Sequence, residues 1–386
     1  MLKIKQQKII NGDCLDVLKT YPDNHFTSII TDPPYGLSFM GKKWDYDVPS
    51  IEIWKECLRV LKPGGTILCF AGSRTQHRMA INIEDAGFII KDCLMWLYAS
   101  GFPKSLNIGK AIDKLQSNER KVIGEDKEYS KKNPNGKWGL SVSGNNNKQI
   151  RANKSILTIG NIPFEGYGTA LKPAYEPIIM AMKPNDGSYA QNALKWGVSG
   201  LNIDKCRIES SEKWYRSNKN REKTFHGQKY NKKGNTENHF RGRFPANIIL
   251  DKEVAKEEPW KRFFYCAKAS KAERNNGCEG LEAKYNAGSY CFRTNGSLDG
   301  KLTAPKKNNH PTVKPLKLMK YIINLIMPPK DGLLLDPFAG SGTTILAAKE
   351  LGYSAIGIER EKEYCEIAES RLKSSVEKND YYKEIC

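Results

Sequence analysis

Residues 333–359, LLLDPFAGSGTTILAAKELGYSAIGIE, decide the fold of this 386-residue chain. The apolar run from Leu333 to Asp336 predicts a short buried strand, and a helix is predicted to begin at Thr343 after a glycine-rich turn. A second strand is predicted from Ser354 to Glu359. Strand, helix and strand in this order form one β-α-β unit, which indicates a parallel sheet.

The turn Gly340-Ser341-Gly342 also predicts a ligand site. Its glycines leave backbone N–H groups bare beside the positive end of the helix, which favours an anionic group there. Glu359 lies 19 positions after Gly340, where a carboxylate that binds ribose is expected in such units. A nucleotide-like ligand therefore fits better than a turn made only for close packing. A nicotinamide dehydrogenase is disfavoured, because the third glycine of G-x-G-x-x-G would fall on Ile345.

The first hundred residues repeat the alternation of strands and helices. FTSIIT at 26–31 predicts a buried strand that ends at an acidic turn. The predicted elements after it are a helix capped by Ser50 and stopped by Pro63-Gly64-Gly65, a strand over 66–71, a helix over 76–86 and a strand over 88–98. The predicted fold class is α/β, with a doubly wound and mostly parallel sheet.

Composition divides the rest of the chain. Residues 101–174 are rich in Lys, Asn, Ser and Gly and predict a polar insertion outside the sheet, whereas YEPIIMAM at 175–182 predicts a strand that returns to the sheet beside the strand before the insertion. Residues 183–307 are basic and polar, and residues 308–386 carry the β-α-β unit. The predicted organisation is thus a first half of the core over 1–100, the insertion, the returning strand, the basic region and a second half of the core.

The charge of the chain predicts a nucleic-acid partner. It has 62 Lys and Arg against 43 Asp and Glu, a net charge of +19, which favours binding to a polyanion. Basic residues alternate with aromatic ones between Arg207 and Arg243, as expected where a protein follows a phosphate backbone and stacks on bases. A solvated basic face is the alternative reading of this region.

A second chemical motif is Asp32-Pro33-Pro34-Tyr35. The two prolines fix an extended turn without N–H donors, which leaves the Asp32 carboxylate and the Pro33 carbonyl as acceptors. Such a pair suits an amino group with two hydrogens, as on adenine or cytosine, and Tyr35 can stack on the base. A rigid turn without a chemical role is the alternative.

Other features exclude whole classes of protein. No apolar run is long enough to cross a membrane and no secretory signal precedes residue 13, so a cytoplasmic protein is expected. The 10 cysteines contain no Cys-x-x-Cys pair, so neither a metal site nor a disulfide framework is predicted.

Four motifs together resemble the S-adenosylmethionine-dependent DNA amino-methyltransferases, which methylate adenine N6 or cytosine N4. They are TDPPYG at 31–36, DPFAGSGTT at 336–344, HPTVKPLKLM at 310–319 and NGDCLDVL at 11–18. Their order, with the catalytic motif first and the cofactor motif last, resembles the beta class. The segments ASGFPKSLNIGKAID, GYGTALKPAYEPI and FYCAKASKAERN resemble a subgroup from phages and mobile elements. The resemblance implies a Rossmann-like methyltransferase sheet with permuted motif order and an inserted target-recognition region.

The same resemblance implies roles for single residues. Asp32, Pro33, Pro34 and Tyr35 would act on the flipped base. The residues implied in binding S-adenosylmethionine are Phe338, Gly340 and Gly342 around the methionine and ribose, Glu359 at the ribose hydroxyls, Asp13 at the adenine, Thr312 and Lys314 at the carboxylate, and Asp336 and Thr343 at the ends of the glycine turn. His310 is expected to be structural.

The predicted reaction is methyl transfer to the exocyclic amine of a base in double-stranded DNA. The aspartate of the catalytic motif favours adenine N6, since cytosine-N4 enzymes of the family more often carry serine there. Carbon-5 methylation needs a cysteine after a proline, and none of the 10 cysteines follows one. Cytosine N4, an RNA substrate and a DNA-binding protein without catalysis remain alternatives, and the oligomeric state, monomer or homodimer, is left open.

Overall fold

The structure is a computed structural model that describes residues 6–37, 45–99, 101, 105–125, 156–208, 224–225, 228–229, 242–251, 263–284 and 306–383. The elements of the first hundred residues alternate as predicted. They are β1 (Gln7–Asn11), α1 (Cys14–Lys19), β2 (Phe26–Thr31), α2 (Ile51–Val60), β3 (Leu61–Phe70), α3 (Gln76–Asp85) and β4 (Ile89–Leu97).

The middle of the chain adds shorter elements. They are α4 (Ile108–Gln116), β5 (Lys121–Glu125), β6 (Ile156–Ile159), β7 (Tyr175–Met182), α5 (Tyr189–Trp196), a 3-10 turn (Asp204–Cys206), β8 (Thr224–Phe225), β9 (Gln228–Lys229), β10 (Ile248–Leu250), β11 (Phe264–Tyr265) and α6 (Lys271–Asn275). The last part contains α7 (Leu316–Ile326), β12 (Leu333–Asp336), α8 (Thr343–Glu350), β13 (Ser354–Glu359) and α9 (Lys362–Lys383).

The main sheet has the order β1-β13-β12-β2-β3-β7-β4-β10-β11 in the described part of the chain. Every neighbouring pair is parallel except the two that β7 makes, since β7 runs antiparallel to both β3 and β4. The predicted α/β class with a mostly parallel sheet is confirmed, and so is the return of 175–182 beside the strand before the insertion. The strands of the C-terminal β-α-β unit lie between β1 and β2, so strands that are far apart in the sequence are neighbours on one side of the sheet.

Helices cover both faces of this sheet. Neighbouring residues of one strand enter opposite hydrophobic clusters, as Ile29 and Ile30 do in β2 and Leu334 and Leu335 do in β12. All of these side chains are fully buried. Burial on both faces explains why these strands are continuous apolar runs in the sequence.

The structure corrects one boundary. Pro63-Gly64-Gly65 was predicted to stop a helix before a strand over 66–71, but α2 already ends at Val60 and β3 begins at Leu61. Leu61 pairs with Phe26, and the ladder resumes with Ser28 opposite Thr66, so the extra residues form an irregularity inside the strand. Gly64 permits it because its φ is +72°.

Three strands of the main sheet were not predicted. β1 has the polar sequence QKIIN and is recognised only by its pairing with β13. β10 and β11 have three and two residues and join β4 at the far edge, although they lie in the region predicted for DNA recognition. The insertion holds its own two-stranded sheet, β5 with β6, apart from the main sheet.

A helix needs about 20 predominantly apolar residues to span a membrane. In the ranges given above, no helix is both long and apolar enough to cross a bilayer.

Candidate active site

The two chemical motifs meet at one edge of the sheet. β2 and β12 are adjacent and parallel, with Leu334 opposite Ser28 and Leu335 opposite Ile29, so the loops after them begin side by side. The Thr31 hydroxyl donates a hydrogen bond of 2.8 Å to the Asp336 carboxylate and ties the two strand ends together. Both loops therefore lie at the carboxyl ends of neighbouring parallel strands, where sheets of this kind bind ligands.

Both loops open into one cavity of about 1080 Å³. Its lining at the glycine turn includes Asp13, Phe338, Gly340, Thr343 and Glu359. Its lining at the catalytic motif includes Asp32, Pro33, Pro34, Tyr35, Tyr98, Glu176, Thr312 and Lys314. The cavity therefore brings together the predicted cofactor residues and the predicted catalytic residues, apart from Gly342, which lies just below the surface of the turn.

The glycine turn requires its glycines. Gly340 has a φ of +52° and Gly342 a φ of +74°, the left-handed region in which other residues are strained. A Cβ on Gly340 would lie 2.7 Å from Nε2 of His310, and one on Gly342 would lie 2.7 Å from Cβ of Ala368. The two glycines therefore let the turn pack closely against His310 and Ala368 at the start of α8.

Glu359 is held at the end of β13 by two backbone donors. The N–H groups of Gly340 and Glu361 donate to its two carboxylate oxygens at 2.8 Å each. Burial raises the pKa of Glu359, and these two bonds oppose the rise. The carboxylate is thus oriented across the mouth of the glycine turn, where it can still accept from a ligand hydroxyl.

Asp336, the last residue of β12, holds the glycine turn in place through hydrogen bonds. It accepts from Thr31 and from the Phe338 N–H, the latter at 3.1 Å, and its side chain is 2% exposed. Burial raises its pKa to about 6, against the lowering effect of hydrogen bonds that include one from Thr344. Its partners are all within the protein, which makes it a support of the cofactor loop.

Arg371 supports the same turn and was missed by sequence reasoning. From α9 its guanidinium donates to the Ser341 carbonyl at 2.6 Å and to the Thr343 hydroxyl at 2.9 Å. The residue is 2% exposed, whereas an arginine in a helix rich in charged residues is typical of a solvated surface. No sequence signal identified it.

Asp13 lies on the other side of the turn. It caps α1 by accepting from the Leu15 N–H at 2.9 Å, and the preceding Gly12 donates its N–H to the Glu359 carbonyl. Because β1 pairs with β13, Asp13 and Glu359 end neighbouring strands on the cavity wall. This arrangement places two carboxylates where hydroxyl or amino groups of a nucleoside can be bound.

The loop after β2, which carries Asp32 and Tyr35, is held by its own hydrogen bonds. The N–H groups of Tyr35 and Gly36 donate to Asp45 at 2.7 and 3.1 Å, and the Thr75 hydroxyl donates to the Tyr35 carbonyl at 2.6 Å. The Tyr35 hydroxyl donates to Asp32 at 2.5 Å. Burial and the adjacent Asp32 carboxylate raise the pKa of Tyr35 well above its usual value, so its hydroxyl stays protonated as a donor.

Lys314 lies against the catalytic carboxylate. Its ammonium donates to Asp32 and, at 3.2 Å, to the Tyr35 hydroxyl, and lies 3.4 Å from Glu176 of β7. Burial acts to lower the pKa of Lys314, but the carboxylates of Asp32 and Glu176 outweigh it and raise the pKa. The contact that the resemblance implies, with the cofactor carboxylate, stays a prediction. Glu176 was not predicted as a site residue.

His310 lies in a turn beside the glycine turn and is held by backbone contacts. One ring nitrogen, Nδ1, lies 2.7 Å from the Thr312 carbonyl, and Arg274 donates to the carbonyls of His310 and Pro311. Burial lowers the pKa of His310 to about 4, despite the opposing Thr312 hydrogen bond. The turn 310–312 is therefore rigid beside Gly340.

The cavity suits S-adenosylmethionine. Its lining combines the backbone of the glycine turn, the carboxylates of Asp13 and Glu359 and the apolar ring of Phe338, which can contact the different parts of a nucleoside ligand. In the part of the chain that the structure describes, no group of three or more His, Cys, Asp or Glu side chains is placed to hold a metal ion.

The basic region is described only in part. Arg207 pairs with Asp204 at 2.8 Å, and the Arg243 backbone pairs with Ile208. Most of the basic and aromatic residues between these two arginines lie outside the described residues. Their contact with nucleic acid stays a prediction.

The sequence of this chain is similar to those of known DNA methyltransferases. The family model described as DNA methylase matches residues 26–370. The Type II methyltransferase M.HindIII of Haemophilus influenzae is 25% identical over 419 residues, 97% of each chain, and M.HpaI of Haemophilus parainfluenzae is 24% identical over 95% of this chain and 74% of its own. The solved structure of PvuII DNA methyltransferase, described as cytosine-N4-specific, is 16% identical with a TM-score of 0.45, over 95% of this chain and 89% of its own.

Proposed function

Since the chain belongs to the DNA methylase family, whose model matches residues 26–370, we propose that it transfers a methyl group from S-adenosylmethionine to the N6 amine of adenine at a specific site in double-stranded DNA. The observation that carries the proposal is the common cavity of Asp32 and the glycine turn. When bound, the cofactor supplies an activated methyl group, so the protein has to position and assist a nucleophile.

The nucleophile is a poor one, because the lone pair of the amine is delocalised into the base. Asp32 and the Pro33 carbonyl each accept one of the two amine hydrogens, which favours a pyramidal nitrogen as positive charge develops on it. The two prolines keep competing N–H donors out of this position. Asp32 then acts through electrostatic stabilisation of this charge, and the proton that the methylated amine has to lose passes to solvent.

The base has to leave the duplex to reach Asp32. Flipping costs a few kcal/mol of stacking and pairing, and aromatic side chains in the pocket offset part of it. Tyr35 and Tyr98 line the cavity on the side of Asp32 and can stack on the extruded base. The net charge of +19 supports binding to the DNA backbone.

Adenine is favoured over cytosine by the aspartate at position 32. The family contains enzymes of both kinds, and the aspartate in DPPY is more frequent in those that act on adenine. Site specificity is supported by the likeness to Type II methyltransferases over nearly the whole chain. Cytosine N4 methylation is the second candidate, and the same experiment distinguishes the two.

The test is mass spectrometry of nucleosides after incubation of unmodified duplex DNA with the protein and S-adenosylmethionine. We expect N6-methyladenine with the wild type, and a loss of about 10³-fold or more with Asp32→Ala, since that variant removes the main acceptor for the amine. Calorimetry should give the same cofactor affinity for both proteins.

Different products lead to different conclusions. N4-methylcytosine would replace the adenine assignment. Normal turnover by Asp32→Ala would contradict the proposal. A wild type that binds the cofactor without modifying DNA would also contradict it, and RNA would then be offered as substrate.

A further inference from the structure

The Asp32 carboxylate already accepts two hydrogen bonds before any base arrives. One oxygen accepts from the Tyr35 hydroxyl at 2.5 Å, and the other accepts from the Lys314 ammonium. Each oxygen can accept a further donor, but the ammonium neutralises part of the charge that would hold the amine. Asp32 therefore binds the amine more strongly when Lys314 moves away from it.

A displaced Lys314 ammonium needs a new partner. Its side chain is 9% exposed, and leaving a buried charge unpaired is strongly unfavourable. The rings of Tyr35 and Phe70 lie 5.6 and 4.8 Å from Nζ, which contributes cation–π attraction but does not neutralise the charge. Another carboxylate within a short movement of Nζ would remove this cost.

Glu176 provides that carboxylate. Its Oε2 atom is buried and lies 3.4 Å from Nζ of Lys314, which is within ion-pair distance, but it accepts no hydrogen bond of regular geometry. The ammonium is thus shared unequally between Asp32 and Glu176, and a buried oxygen without a full hydrogen bond favours a state in which the ammonium comes closer to it. β7 fixes the residue opposite Trp96 of β4, beside the wall that carries Tyr98.

We propose that Glu176 is a positioning residue for methyl transfer: it takes the Lys314 ammonium when the target amine displaces that ammonium from Asp32. Lys314 needs only a small movement, since its Nζ atom already lies 3.4 Å from Glu176, and its charge stays paired throughout. In the absence of a base, the ammonium neutralises Asp32 and keeps the site assembled. This inference rests on the proposed function, because it assigns a step within it.

The test compares Glu176→Gln with the wild type on duplex DNA at saturating S-adenosylmethionine. The glutamine keeps the shape but cannot neutralise the ammonium, so we expect kcat to fall about tenfold or more, with KM for DNA and cofactor affinity within about twofold. Glu350→Gln is the matched control, since Glu350 also pairs with a lysine, Lys320, but lies outside the cavity. It should behave as the wild type.

The same substitution in a protein that already carries Lys314→Met separates this role of Glu176 from other roles. In Lys314→Met no ammonium has to be moved, so adding Glu176→Gln should change kcat by less than about twofold. Lys314→Met should also be more active than Glu176→Gln alone. An equal fall in both backgrounds would mean that Glu176 contacts the base directly, and would overturn the proposal.

Two further results would overturn it. One is an unchanged kcat for Glu176→Gln in an active wild-type background, and the other is a Lys314→Met protein less active than Glu176→Gln. A wild type that transfers no methyl group would instead remove the proposed function itself, so the two failures are distinguishable.

Discussion

Single residues of the site differ in how they respond to pH, and His310 gives the clearest case. Its pKa is lowered by burial from 6.5 to about 4 in the folded protein. Between about pH 6.5 and pH 4 the unfolded chain binds a proton at this histidine and the folded protein does not. The free energy of unfolding that depends on His310 therefore falls as the pH is lowered through this window.

The direction of this pH dependence gives a testable prediction for His310→Asn. The variant lacks the titrating ring, so its destabilisation relative to the wild type should be smaller at pH 5 than at pH 7. Denaturant unfolding at both pH values measures it. Asp336, whose pKa is raised to about 6, contributes with the opposite sign in both proteins and cancels in the difference. A destabilisation that is equal at the two pH values would contradict a neutral, buried His310.

The residues that sequence reasoning found and those that it missed differ in a physical way. Asp32, Gly340 and Glu359 belong to short local patterns in which neighbouring residues constrain one another, so the pattern predicts their place. Glu176 and Arg371 act through contacts with residues more than 25 positions away, and nothing near them in the sequence marks them. Only the folded sheet brings them to the loops that they support.

At the scale of elements, the start of α8 depends on Gly342. In Gly342→Ala the left-handed backbone costs about 1–2 kcal/mol, and contact with Ala368 adds about as much again. Gly197 at the end of α5 is a matched control, because its φ is +68° but a Cβ there would meet nothing within 4 Å. We expect the free energy of unfolding to fall about twice as far in Gly342→Ala as in Gly197→Ala. Equal losses would show that α9 yields to the added methyl group.

The link between α9 and the glycine turn gives another prediction. Arg371→Met leaves the Ser341 carbonyl without its buried donor, so we expect a loss of about 3 kcal/mol in the free energy of unfolding and about tenfold weaker binding of S-adenosylmethionine. Arg371→Lys keeps one charged donor and should recover part of both. Denaturant unfolding and calorimetry provide the measurements.

The control on the same helix is Lys373→Met, which replaces an exposed side chain. It should change stability by less than about 0.5 kcal/mol. Wild-type cofactor affinity in Arg371→Met would show that Arg371 acts on stability alone and does not position the turn.

Elements were predictable from sequence where burial alone determines them. β2, β12 and β13 have the predicted bounds, because each is an apolar run between turn residues. β1 and β10 depend on pairing with a strand that is distant in sequence, β13 for β1 and β4 for β10, and β11 in turn pairs with β10. The start of β3 at Leu61, earlier than predicted, likewise depends on pairing with the neighbouring strand β2.

At the scale of the whole molecule, the charge of the chain predicts how it binds DNA. Neutralising six to ten phosphates would weaken duplex binding about 10³-fold or more between 50 and 200 mM salt. Fluorescence anisotropy with labelled duplex DNA measures this dependence. Binding of S-adenosylmethionine, which has little net charge, should change by less than about threefold over the same range. A weak salt dependence of DNA binding would show that the excess of +19 is spread over surfaces that do not meet DNA.

The order of strands in the main sheet has a consequence for how the protein is made. β12 and β13 occupy the gap between β1 and β2, yet Thr27 and its partner Leu333 are 306 positions apart. A ribosome that adds about 5–20 residues per second completes that distance in about 15 to 60 s. During this time β1 has no partner and β2 has one open edge, so the nascent chain presents apolar strand edges of the kind that chaperones shield. The loops after β2 and β12 come together only after residues 333–359 have been synthesised, and the enzyme cannot bind its methyl donor on the ribosome before then.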